Sequence, residues 1–515
     1  MRPIRLVPAA VVLLALGGIA AAAQLAGPAG PAGPAASAAS AGSAAPAGSG
    51  PGHAVMAPRQ VAVTSAARAC PPVQGGGSGK VAFIAGSPAA SAGAGQAQLA
   101  PLPLAGAQLR TLNPISQTQP GLLSMLTTPA AQSTSKQSTG KQATTVLQGW
   151  SVTATGTMAQ TMEAEETTDA GLASVRCGAP GSDLWFVGPG QQGGAAQIQL
   201  DLMNVDSLPA SVNVSLITDA GRVQADGDTG ITVPPHQTVT EALSSLAGNA
   251  SVVAIEVRTS IGRVAADVSE SSHGTGATAS WLPSTAPPST QLVIPGVPPS
   301  GGPAGLYIAV PGSANARISV LSITAQGQHQ PFGTQTIDLP GDSATYVPLT
   351  PLGGTAALEL TANVPVTAGV LVPGSGLGAF AVATAPISEQ AVVAGNTTGN
   401  TTGNTTGATV VLSAPAAQAR VRLTEITATP GATSSQIVTV QGGHTLTVSA
   451  TPPKGAKHGS AFAIVITPLA GSGPLYAARV ATQGQNTVVS IVPAISALTT
   501  IILPPVRYSY DAISP

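Results

Sequence analysis

Charge is what this 515-residue chain has least of. Asp, Glu, Lys and Arg make up 8% of it, against about 25% in an ordinary globular protein. The formal net charge is -1, so no basic field exists to hold nucleic acid or an anionic membrane surface. Aromatics reach only 3%, which leaves Val, Ile, Leu and Ala to fill the cores. Cys70 and Cys177 are the only cysteines; their spacing excludes a redox C-x-x-C pair, and no His or Cys clusters nearby to complete a zinc site. Catalytic signatures are missing as well, with neither a G-x-S-x-G elbow nor an H-E-x-x-H pair in the sequence. The glycine-rich stretch Gln74–Lys80 has Gln74 where a phosphate loop needs its first Gly and Val81 where it needs Ser or Thr. Gly274–Ala279 imitates a dinucleotide turn but runs into Trp281-Leu-Pro283 and not into a helix. The six histidines are scattered. The expectation is a chain that is not an enzyme, with no catalytic residue, no cofactor and no metal.

What is present begins at the N-terminus. Arg2 and Arg5 precede an uncharged run from Leu6 to Ala26, the pattern of an export signal. Ala21-Ala22-Ala23 permits cleavage before Gln24, while 21 residues at 1.5 Å each also match the ~30 Å of a bilayer's hydrocarbon core. Residues 1–26 therefore read as a signal peptide cut near Ala23 or as an uncleaved helical anchor. Either way the rest of the chain is expected outside the cytoplasm, with residues 6–26 its only contact with membrane. Residues 27–65 follow as an Ala/Gly/Pro/Ser linker, semi-extended because nothing in it can bury apolar area. In an oxidising compartment Cys70 and Cys177 are expected to pair, closing a loop of about 106 residues that contributes up to about 4.7 kcal/mol.

Past residue 180 the chain resembles itself. Ser211-Val-Asn-Val-Ser-Leu-Ile-Thr218 aligns with Arg317-Ile-Ser-Val-Leu-Ser-Ile-Thr324 and with Arg420-Val-Arg-Leu-Thr-Glu-Ile-Thr427. Further landmarks from Ile231, Ile337 and Val438 keep the same order. Val212, Val214 and Leu216 alternate with Asn213 and Ser215, and Val253, Ile255 and Val257 with Glu256 and Arg258. That period of two puts one face of a strand into a core and the other into water. Turn formers such as Pro311-Gly312, Pro340-Gly341 and Gly442-Gly443 separate the runs. About seven short strands per hundred-odd residues predict an all-β fold of three tandem immunoglobulin-like sandwiches. The modules are placed at residues 181–270, 290–385 and 390–506, with an Asn-Thr-Thr-Gly loop at 396–407 in the third. Residues 66–180 read as a β-rich segment packed on module 1 through the cysteine bridge.

Two clusters invite a chemical reading. Glu163, Glu165, Glu166 and Asp169 form the chain's acidic group, expected as a solvated loop because the alternating Asp/Asn/Gly spacing of a calcium loop is missing, with a calcium ion held by the carboxylate oxygens as the alternative. Trp185 and Phe186 stand side by side and so face opposite ways on a strand. One of them is expected in a core and the other at a ligand or a neighbouring domain. Trp185 and Trp281 are the candidate ligand contacts.

With these residues in view, the chain resembles an actinobacterial group of secreted or membrane-tethered proteins catalogued as a domain of unknown function, family 5719. The resemblance rests on Cys177-Gly-Ala-Pro180 with Asp183-Leu-Trp-Phe-Val-Gly188, on Trp281-Leu-Pro283, and on Ile464-Val-Ile-Thr-Pro-Leu469 leading to Gly473-Pro-Leu-Tyr476. It covers roughly residues 66–505 and implies an extracytoplasmic location and a β-rich fold. It assigns no catalytic residue. The expected role is structural or interactive, in the cell envelope, with an envelope protein or a glycan as partner and no oligomeric state implied. Glycan binding through exposed aromatics and a degenerate or accessory hydrolase are the alternatives.

Overall fold

The computed structural model describes residues 58–503, apart from 74–77, 88–92, 107–113, 129–147, 169–172, 224–228, 273–278, 300–301, 332, 351, 375–376, 398–405, 457–459 and 484–486. The expected N-terminal helix at 6–26, most of the linker and the centre of the Asn-Thr-Thr-Gly loop lie outside the described residues. Within them the fold is all-β, with only two short 3-10 turns, Gly156–Ala159 and Gln191–Gly193, as helical geometry.

β1 (Arg59–Ala62) stands apart from the first sheet pair, which is built from β2 (Ser65–Cys70), β3 (Gly79–Ala85), β4 (Ala97–Pro103), β5 (Ile115–Gln117), β6 (Leu122–Thr128), β7 (Gln148–Thr155), β8 (Glu163–Thr168) and β9 (Ser174–Arg176). Their orders are β2-β7-β4-β5 and β6-β3-β8-β9. Val81, Phe83, Leu99, Trp150, Val152 and Met158 fill the space between the two sheets, together with Cys70 and Cys177. The two cysteines are joined in a disulfide. The bridge thus sits inside this pair's own core, and residues 66–180 do not depend on it to reach the neighbouring sheets.

The second pair comprises β10 (Asp183–Pro189), β11 (Ala195–Asn204), β12 (Ala210–Thr218), β13 (Gly221–Val223), β14 (Ile231–Val233), β15 (Gln237–Ala242), β16 (Val252–Ile261), β17 (Ala265–Ser272) and β18 (Ala279–Leu282). One sheet runs β10-β16-β12-β13 with β14 also on β12; the other runs β15-β11-β17-β18. The third holds β19 (Ser289–Val297), β20 (Gly305–Ala309), β21 (Ala316–Thr324), β22 (Gly327–His329), β23 (Ile337–Leu339), β24 (Ala344–Pro348), β25 (Ala356–Val372) and β26 (Ala379–Val382). Its two halves share one long strand: residues 357–362 of β25 pair β21 and residues 367–371 pair β20.

The last pair contains β27 (Ala391–Thr397), β28 (Thr406–Ala414), β29 (Ala419–Thr427), β30 (Thr433–Val440), β31 (His444–Ser449), β32 (Ala461–Pro468), β33 (Tyr476–Gln483) and β34 (Thr487–Ala494), in orders β27-β32-β29-β30 and β31-β28-β33-β34. β35 (Thr500–Leu503) leaves it and pairs antiparallel with β1. The third module is expected over residues 390–506, and the last strand within this pair, β34, ends at Ala494.

The predicted alternation holds where one face meets water. β12, β21 and β29 bury Val212, Val214 and Leu216, then Ile318 and Val320, then Val421 and Leu423, with more accessible residues between them. It fails on β16, where Val252 through Val257 are all buried. Val253, Ile255 and Val257 face their own core, while Val252 and Ala254 pack with Tyr307, Ala309 and Ala344 of the third pair. β32 does the same: Phe462, Ile464 and Ile466 point inward, and Ala463 and Val465 meet Ala82, Ile84 and Leu123 of the first pair. A strand buried on both faces loses its period of two.

These contacts close a cycle. Ala69 and Leu102 of the first pair meet Met203, Val205 and Ala265 of the second, and Trp185 and Val187 of the second meet Tyr307 and Ala309 of the third. Val411, Ala478, Val480 and Ile491 of the last pair join the core of the third, and the last returns to the first.

Candidate functional site

The acidic cluster marks where the cycle closes. Glu163, Glu165 and Glu166 lie on β8 with relative exposures of 1%, 2% and 0%. This corrects the expectation of a solvated loop; Asp169 lies outside the described residues. β8 is the third strand of its sheet, between β3 and β9, so alternation sends Glu163 and Glu165 outward and Glu166 to the opposite face. The outward face is covered in turn by the last sheet pair.

Each outward carboxylate has a cation. Glu163 accepts from Arg68 Nε at 3.1 Å and pairs with Arg176. Glu165 pairs with Arg479 on β33, both side chains being 2% exposed, and its Oε2 accepts from the Gly395 amide at 2.9 Å. Gly395 has to be glycine for this approach, because a Cβ there would stand 2.5 Å from Glu165 Oε1. Gln390 donates to Thr161 across the same joint. The first and last sheet pairs, more than 200 residues apart in sequence, are therefore tied by a buried ion pair and two hydrogen bonds.

Glu166 has no such partner. Both its carboxylate oxygens and Thr128 Oγ1 are buried without a hydrogen bond among the described residues, and burial pushes its pKa well above the usual carboxylate range. Asp267 on β17 lies directly across from Asp201 on β11, both buried. Burial first, then the neighbouring Asp201 and Glu166, push Asp267 upward, so it takes a proton more readily than an ordinary aspartate. Glu270, fully buried on the same strand with both oxygens unpaired, is raised by burial alone. Arg176 is pulled below its ordinary value by burial, against the attraction of Glu163.

This arrangement does not converge on a cation. Two of the three β8 carboxylates are neutralised by guanidinium groups and the third points away, so the calcium reading loses its donor set. Among the described residues no group of three or more His, Cys, Asp or Glu is placed to hold a metal ion.

The two tryptophan candidates are both buried. Trp185 is 3% exposed and Trp281 6%. Trp185 packs against Tyr307 and Ala344 in the joint between the second and third pairs, while its neighbour Phe186 enters the core of the second. Neither indole offers an open face for a sugar ring, and they are not brought together at one site. The two rings do face opposite ways, and the outward one meets a neighbouring sheet pair; which ring does which was not legible in the sequence.

An open cleft of about 660 Å³ is lined by Asn315, Arg317, Asp338, Pro340 and Asn363, with an exposed Arg317–Asp338 ion pair of 3.1 Å at its side. No hydrogen bond links His236, His329 or His444 to a serine or a carboxylate among the described residues; His444 Nδ1 sits 2.8 Å from the Gly442 carbonyl. His53, His273 and His458 lie outside them.

Sequence reasoning found the acidic cluster and missed its role. The signal was available: Glu163-Ala-Glu-Glu-Thr-Thr168 is a run without Gly or Pro, and Arg68, Arg176 and Arg479 are three of very few cations in a chain short of charge.

The geometry is that of an all-β protein of packed sheet pairs, with a buried ion pair at the joint between the first and the last. Within that class, the chain belongs to the Family of unknown function (DUF5719), whose profile matches residues 130–451. The match runs from ahead of β7 to just past β31, a narrower span than the resemblance drawn over 66–505, and it contains the Cys177–Gly188 block. A search of the curated proteins finds no match.

Proposed function

We propose that the protein is an extracytoplasmic, non-catalytic component of the cell envelope that acts by presenting surface to a partner protein. Its last three sheet pairs are, in this reading, tandem copies of one immunoglobulin-like module. The observation that carries the proposal is the closed cycle of buried interfaces: each sheet pair spends apolar area on holding two neighbours, and two of the joints add an ion pair, Glu165–Arg479 and Arg222–Asp342. Such a body is fixed in shape, which suits display of a surface.

The near-identical burial of β12, β21 and β29, each followed by a strand on the same side, supports common descent of the three modules. A disulfide supports an oxidising compartment, and the Leu6–Ala26 run supports tethering or export.

The test is crosslinking in intact cells, combined with thiol labelling before and after reduction. The proposal expects an oxidised Cys70–Cys177 pair, labelling from outside the membrane and one envelope protein crosslinked reproducibly. Turnover of an ester, peptide or glycosidic substrate by the purified chain would overturn it.

A further inference from the structure

We propose that the open edge of β30 takes up an extended, acidic segment of a partner polypeptide by strand addition. This rests on the reading of the protein as an interaction component and names the surface it would use.

The three modules treat the same edge differently. Beside β12 stand two three-residue strands, β13 on Leu216–Thr218 and β14 on Ala210–Val212. Beside β21 stand two more, β22 on Ser322–Thr324 and β23 on Ala316–Ile318. These edges are short, interrupted and charged, with Arg222 in the one and Asp338 in the other. Those are the devices by which sheets refuse further strands. Beside β29 the edge is a single strand of eight residues, Thr433-Ser-Ser-Gln-Ile-Val-Thr-Val440, pairing Ala419 through Ile426 without a break. It carries no charge and no proline, and no second neighbour pairs with it among the described residues. Ile437 is 52% exposed on it.

Alternate residues of β30 direct both N–H and C=O away from β29, so among the described residues the open side offers a row of unpaired donors and acceptors. An incoming strand satisfies them with its own backbone and needs no particular side chain to do so.

The face beside the edge sets the charge of the guest. Arg422 lies directly across from Ile437, and Arg420 across from Thr439, so their side chains share the outer face with those residues. Both arginines are exposed, and neither has an ion-pair partner among the described residues. The one acidic residue of β29, Glu425, is buried and accepts from Ser434 Oγ at 2.8 Å. An added strand would run about 10 Å from β29, two strand spacings away, where its glutamates could meet the two guanidinium groups reaching across β30. A second copy of this chain would bring two pairs of unpaired arginines together and is the poorer guest.

The probe is a capped ten-residue peptide alternating valine with glutamate, and its lysine counterpart, titrated against the full chain by fluorescence anisotropy. The glutamate peptide is expected to bind at least tenfold more tightly than the lysine peptide, with the order reversed in R420E/R422E. Of Gln436→Pro and Ile437→Pro, one replaces an N–H that faces the open side. The variant that keeps the parent melting temperature is expected to lose at least tenfold in binding. Equal affinity for the two peptides, or no binding at millimolar concentration, overturns the proposal. So does self-association of the parent chain that the same proline substitution abolishes, since the occupant would then be a second copy. If the peptides fail while crosslinking in cells still recovers a partner, the edge falls and the interaction reading stands.

Discussion

Arg479 and Glu165 offer the sharpest perturbation, because the two halves of a buried pair respond differently to losing each other. Breaking such a pair by removing one partner typically costs about 3–5 kcal/mol, since a charge stays buried without compensation. Glu165→Gln leaves the Arg479 guanidinium, whose Nε and Nη1 already lack hydrogen bonds among the described residues. A guanidinium does not shed its proton in a protein, so the full penalty, about 4 kcal/mol, is expected at every pH. Arg479→Met instead removes those unsatisfied groups and leaves a carboxylate that keeps the Gly395 amide. Its penalty is expected to be smaller, about 2–3 kcal/mol. The double variant Glu165→Met/Arg479→Met is expected to recover most of the loss, because two apolar side chains replace the pair at similar volume. The assay is chemical denaturation of all four proteins, with amide exchange on β8 and β27 to locate the effect. Single substitutions that cost under 1 kcal/mol, or an Arg479→Met penalty larger than that of Glu165→Gln, would refute the reasoning.

Other outcomes follow from the same structure. Glu270 has a pKa raised by burial, so the folded chain binds a proton there that the unfolded chain releases above about pH 4.5; stability falls as pH rises from that value toward the folded pKa. Glu270→Gln is expected to match the parent at pH 4 and to melt higher at pH 8, a difference thermal unfolding would read. Replacing Cys70 and Cys177 by Ala removes a crosslink spanning 107 residues. It is expected to destabilise the first sheet pair by up to about 4.7 kcal/mol, with exchange rising in residues 65–176 before the rest. Trp185→Ala empties a joint and not a core. It is expected to cost about 3–5 kcal/mol and to expose Tyr307 and Ala254 to exchange, whereas Phe186→Ala loosens the second pair itself.

Much of the fold could be read from period and turn chemistry. The alternation in Val212–Leu216, Ile318–Val320 and Val421–Leu423 was visible because those strands have one wet face, and Gly and Pro pairs marked their ends. The failures share one cause. Val252 and Ala254, Ala463 and Val465, and Glu163 and Glu165 of β8 all face a neighbouring sheet pair, and no local pattern announces what lies across an interface formed hundreds of residues away. Glu165 was legible as an acid but not as the partner of Arg479, because pairing across 314 residues leaves no spacing to count. The pairing of β35 with β1 went unseen for the same reason, as Ile501 and Ile502 read equally well as the end of a module.

The closed cycle itself is tested most directly by joining its ends. Gln60 and Ile502 are register partners on β1 and β35, and Ile502 is 73% exposed. A chain carrying Gln60→Cys and Ile502→Cys, oxidised under native conditions and mapped by peptide mass spectrometry, is expected to form that crosslink within one molecule while Cys70–Cys177 stays intact. Two free thiols at 60 and 502, or crosslinks only between molecules, would contradict a chain whose first and last strands meet.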